Sequence, residues 1–77
     1  MRTLSKYEQA QKNASNALYK IIVSDEFNVS DLLRVYYSQG MDELSYYLFS
    51  VAHYNKIDNM DKIDYPALSI KLLSELS

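Results

Sequence analysis

A single glycine, Gly40, and a single proline, Pro66, serve a chain of 77 residues. Hairpins and bulges draw on residues that tolerate positive φ or pre-set a bend, so a sheet of several strands needs a supply of both. A chain this poor in turn-formers has few ways to reverse direction, and helices joined by short loops need the fewest. The expected fold is all-α: one domain spanning 1–77, a compact bundle of about four short helices near 5–23, 29–39, 43–55 and 66–76.

Capping and periodicity place those helices. Ser5-Lys6-Tyr7-Glu8 fits a capping box, in which the serine oxygen takes a backbone N–H and Glu8 reaches back. The first helix then runs to Val23 on a stripe of Tyr7, Ala10, Ala14, Ala17, Leu18 and Ile21, whose alanines favour close approach of a neighbour. Ser24 to Asn28 reads as a turn, with Asn28 or Ser30 capping a second helix that ends at Gln39. Val29, Leu32, Leu33 and Tyr36 form its apolar side, opposite Asp31, Arg34 and Ser38. Gly40 is expected to close this helix in the left-handed conformation, with Met41 folding back on Tyr36 in a Schellman contact and Asp42 capping the third helix.

Between Asn55 and Tyr65, Lys56-Ile57-Asp58 is echoed by Lys62-Ile63-Asp64. Repeat architectures need units of about 20 residues or more, so the echo reads as coincidence within an irregular connector holding one short helical turn. Pro66 suits the first turn of the last helix. Tyr65, Leu68, Leu72 and Leu76 line one side of it, Leu73 widens that side, and Ile70 falls outside.

The third helix is unusual in carrying two non-polar faces. Leu44, Tyr47, Leu48, Val51 and Ala52 make the inward stripe, while Tyr46, Phe49 and His53 gather near the reverse side. Such a helix lies in the middle of the fold, or its second face meets something the monomer lacks. The paired tyrosines, Tyr36-Tyr37 and Tyr46-Tyr47, divide accordingly: Tyr36 and Tyr47 belong to inward stripes, Tyr37 to a stripe edge, and Tyr46 alone points away.

Composition removes most chemistries. The chain has no cysteine, hence no disulfide, thiolate nucleophile or Cys-type zinc site, and a reducing compartment is the natural setting. A formal net charge of −2 suits neither a strong non-specific nucleic-acid binder nor a DNA mimic. No apolar run approaches the ~20 residues needed to span a bilayer, and Met1-Arg2-Thr3-Leu4 lacks the apolar block of a signal peptide. The expectation is a whole, soluble, cytoplasmic protein without membrane association.

One glycine cannot build a P-loop, a dinucleotide-binding turn or a nucleophile elbow. His53 is the only histidine, and a lone histidine beside aromatic residues reads as a surface or core-edge residue rather than a base or ligand. Asp58, Asp61 and Asp64 step by three, without the alternate acids, central glycine and closing glutamate of a calcium loop; they read as connector and cap residues. No enzyme activity, cofactor or metal is therefore expected.

The remaining reading is a protein-binding module with Tyr46, Phe49 and His53 as the binding residues, since aromatic side chains are enriched at interface centres. Its partner is another protein or a second copy in a homodimer. A protein of this size suits a phage or other mobile element, which makes an inhibitor of a host enzyme or defence complex one concrete version. The competing class is a small DNA-binding regulator with a helix-turn-helix around Gly40. Against it, Tyr36 stands where such turns want a small residue, and Asp42 and Glu43 would face phosphates with no lysine or arginine before Lys56.

Overall fold

The computed structural model describes residues 3–76. It contains α1 (Lys6–Val23), α2 (Glu26–Gln39), α3 (Met41–Tyr54), a 3-10 turn at Met60–Lys62, and α4 (Tyr65–Leu76). Among the described residues there is no strand, and no helix is long and apolar enough to cross a membrane. The all-helical bundle expected from the scarcity of turn-formers is the fold observed.

α1 opens on the expected capping box. Ser5 Oγ accepts from the Glu8 N–H at 3.1 Å, and Glu8 Oε1 accepts from the Ser5 N–H at 3.4 Å. Its buried face, however, is Ala14, Leu18 and Ile22, leaving Tyr7 and Ala17 exposed. The stripe is rotated because α1 packs on the connector as well as on helices: the Gln11 amide donates to the Lys62 carbonyl at 2.9 Å. Tyr7 is left at the rim, with the Lys62 ammonium 5.9 Å from its ring centre.

The turn after α1 is shorter than its composition suggests. Asp25, rather than Asn28 or Ser30, caps α2, its Oδ1 accepting from the Phe27 N–H at 2.8 Å. Aspartate caps as well as asparagine or serine, and Glu26 in the first turn is favoured by the helix dipole. The helix thereby gains most of a turn. Asn28 instead donates back to the Ile21 carbonyl at 3.3 Å, tying α2 to the end of α1.

α2 and α3 meet at one residue. Gly40 has φ +93° and ψ −174°, an extended positive-φ conformation open essentially to glycine alone, and so is not the left-handed residue of a Schellman motif. Its N–H donates to the Tyr36 carbonyl at 3.0 Å, and its carbonyl accepts from the Leu44 N–H at 3.1 Å. Gly40 therefore ends one helix and begins the next, while Asp42, expected as the cap, falls inside the first turn of α3 and no side chain caps that helix.

The Schellman motif sits at the other end of α3. Lys56, at φ +54°, donates its N–H to the His53 carbonyl at 3.1 Å, and Ile57 donates to the Ala52 carbonyl at 3.1 Å. These are the paired inner and outer bonds of that cap, including its apolar residue just beyond the helix. Ile57 is 8% exposed and Ile63 6%, so the echoed Lys-Ile-Asp triplets each deliver an isoleucine to the core. The connector is pinned at both ends: Asp64 Oδ1 accepts from the Ala67 N–H at 3.1 Å to start α4, with Pro66 harmless in its first turn.

α3 is the middle element, packed against α2 and α4 and touched also by α1 and the 3-10 turn. Leu44, Leu48 and Ala52 join Ala14, Leu18, Ile22, Leu32, Ile57, Ile63, Leu68 and Leu72 in a single core. α3 and α4 run antiparallel, pairing Ser45 with Ser69 and Phe49 with Tyr65. Ser69 is fully buried and satisfied, donating to the Tyr65 carbonyl at 2.8 Å. Two serines at this crossing let the helices approach closely.

Candidate functional site

The central position of α3 accounts for only one of its two apolar faces. Its inward stripe is covered as expected, with Tyr47 and Val51 half-buried beside the core leucines. On the reverse side, Tyr46 is 68% exposed, Phe49 41%, and His53 is exposed. Phe49 and His53 are brought together: their rings stack with centroids 6.2 Å apart and planes 25° from parallel. Phe49 also presents an edge-to-face contact to Tyr65 of α4, at 5.6 Å and 74°. The phenyl ring is thus held from two sides while its outer face stays in solvent. Tyr46 lies one turn earlier on the same side of the helix.

Two further residues belong to this surface. Tyr54, 85% exposed, completes a shallow depression with Tyr46, Phe49, Ser50 and His53. It stands four residues beyond Ser50, so extending the outer stripe by one turn finds it. Ile70 of α4 is 60% exposed. The Ser45 and Ser69 hydroxyls lie 3.4 Å apart across the helix pair, and the next residue on each helix, Tyr46 and Ile70, turns about 100° outward from that contact. The misfit of Ile70 with its own stripe and that of Tyr46 with the α3 stripe therefore describe one apolar surface.

Charge is distributed unevenly along α3. Asp42 and Glu43 occupy its first turn, whereas His53 stands in its last turn, roughly 15 Å along the axis, and Lys56 just beyond its end. All four are exposed.

The other buried or hydrogen-bonded tyrosines hold the scaffold. Burial, reinforced by the charges of Asp31 and Asp25, pushes the Tyr47 phenol above its ordinary value. Burial does the same at Tyr65, with a contribution from Asp61, and the Tyr65 hydroxyl donates to the Met60 carbonyl at 2.6 Å. At Tyr19 the leading cause is the hydrogen bond to the Glu75 carboxylate, followed by burial and the Glu75 charge.

His53 stacks on a phenyl ring, and Asp64 is engaged in capping α4. Among the described residues no group of three or more histidines, cysteines or carboxylates could hold a metal ion. An open cleft between α1 and α4 mixes Glu8 and Asp64 with Lys12 and Lys71 and has no dominant sign. The Gly40 corner is a single residue, where helix-turn-helix motifs use a turn of three or four. No protein-family model, curated protein or solved structure matches the chain.

Proposed function

We propose that this protein is a non-catalytic protein-binding module and that the outer face of α3, with Ile70 of α4 beside it, is its binding surface. The observation that carries the reading is Phe49, an aromatic ring fixed between His53 and Tyr65 yet 41% exposed. Binding orders side chains at a cost, and an anchor already held in place has less freedom to lose. Rigid aromatic residues near the centre of a patch are the usual energetic hot spots of interfaces.

Size supports the same reading. With aromatic side chains burying about 150–250 Å² each, the exposed parts of Tyr46, Phe49, Tyr54 and Ile70 amount to roughly 500 Å². That is at the upper end of the largest patch on a typical monomer, about 300–600 Å², and such patches are often functional.

A comparison of two exposed tyrosines on different faces tests the proposal. A photoreactive residue is placed at position 46 or at position 37, where Tyr37 is also exposed and lies on α2, and each chain is irradiated in extracts of its own cells. Adducts that form from position 46 and not from position 37 are the expected result. Equal yields at both positions, or none from 46, would overturn it.

A further inference from the structure

We infer that the occupant of this surface is a second copy of the chain, with the two α3 helices packed antiparallel about a two-fold axis lying between Phe49 and Ser50. This rests on the preceding reading, that the outer α3 face is a binding surface, and adds the identity of the partner. An isologous contact requires a patch complementary to itself, and α3 has that property in both shape and charge. An axis midway between positions 49 and 50 brings Tyr46 opposite the second copy's His53 and Phe49 opposite the second copy's Ser50. The small Ser50 side chain leaves room for the partner's phenyl ring at the centre, and the outer positions 46, 49 and 53 follow the three- and four-residue spacing of a helix-pairing seam.

The charges select the direction. Antiparallel pairing in this register sets Asp42 and Glu43 of one helix beside Lys56 of the other, and it also opposes the helix dipoles favourably. Parallel pairing would place Asp42 and Glu43 against their own copies, which is repulsive. Area is consistent with a dimer: a standard interface takes about 800 Å² from each partner. The four apolar side chains supply more than half of that, leaving His53, Ser50 and the charged ends to form the rim.

The test uses the full chain and reads self-association by sedimentation equilibrium, with helicity checked by circular dichroism. The wild type is expected to be a dimer at high micromolar concentration. A chain carrying Asp42→Lys and Glu43→Lys, and a second carrying Lys56→Glu, should each self-associate roughly tenfold more weakly, because both symmetric contacts become repulsive. Mixed in equal amounts, the two variants should form a heterodimer at near wild-type strength, since each then offers the charge the other lacks. Tyr46→Asp, at a position exposed in the monomer, should abolish the dimer without loss of helix.

A wild type that stays monomeric to millimolar concentration overturns the dimer. If position 46 still yields selective adducts with a different protein, the binding surface itself survives. A dimer indifferent to Tyr46→Asp, or variants whose mixture stays as weak as either alone, overturns the arrangement.

Discussion

The Ile57 amide donates to the Ala52 carbonyl at 3.1 Å across Lys56, which is held at φ +54°. The C-terminal cap of α3 is therefore built on a lysine in a conformation that costs an L-residue with a Cβ about 1 kcal/mol or more. Lys56→Gly removes that cost and is expected to stabilise the monomer by about 0.5–1 kcal/mol, less whatever glycine gains in unfolded freedom. Thermal denaturation at low concentration checks it, with an expected rise in Tm of a few degrees. An unchanged or lower Tm would show that the lysine stem contributes more than its backbone costs.

Gly40 should behave in the opposite way. A Cβ built on it meets nothing within 4 Å, so any loss in Gly40→Ala comes from the φ of +93° alone. The expected cost is roughly 1–3 kcal/mol. The D-alanine chain made by chemical synthesis isolates the cause, because a D-residue accepts positive φ: it should melt at or above the wild type. Equal destabilisation by both enantiomers would refute the conformational account.

Tyr47 and Tyr65 predict a loss of stability in base. Their phenols are raised above the ordinary value of 10.0 by burial, so the folded protein favours the neutral form. That contribution is complete below pH 10 and disappears as pH rises through the higher folded-state values. The denaturant midpoint should be flat from pH 7 to about 9 and then fall. Tyr47→Phe, which cannot ionise, should fall less steeply; an identical slope would assign the alkaline loss to other groups.

The connector should prove as costly to truncate as a helix. Ile57 and Ile63 are core residues despite lying outside any α-helix, and Ile→Ala in a core costs about 2–5 kcal/mol. A chain of this size has only about 4–12 kcal/mol in total, so either substitution should lower the urea midpoint sharply, and the double variant should be largely unfolded at 37 °C. Losses below about 1 kcal/mol would mean that the connector is loosely seated.

Most of this architecture was legible because helices advertise themselves locally. Ser5 and Glu8 form the bonds their spacing implies, and the α3 stripe of Leu44, Leu48 and Ala52 is buried as its period requires. The structure departs from expectation where one local signal has several solutions. Asp25, Asn28 and Ser30 are all competent caps, and only the docking of Asn28 on Ile21 selects the first. The rotated face of α1 depends on Lys62, far away in sequence, and no periodicity reports that. A positive φ at Lys56 is equally silent, since lysine carries no signature for it. The exposed aromatic face of α3 is visible as a misfit with the helix period, but its extension to Ile70 needs the Ser45–Ser69 crossing to align two separate misfits.

The Gln11–Lys62 hydrogen bond spans 51 residues, and this separation sets an order of events for the folding chain. α2 with α3 and α3 with α4 pack as neighbours in sequence, whereas α1, although it touches α2 across a short turn, reaches the connector, α3 and α4 only by closing long loops. Loop closure grows costlier with length, so the three later helices should be assembled in the transition state and α1 should dock last. Ala14→Gly in α1 would then speed unfolding and leave the folding rate nearly unchanged, while Leu48→Ala would slow folding. Stopped-flow chevrons distinguish the two, and a slowed folding limb for Ala14→Gly would reverse the order.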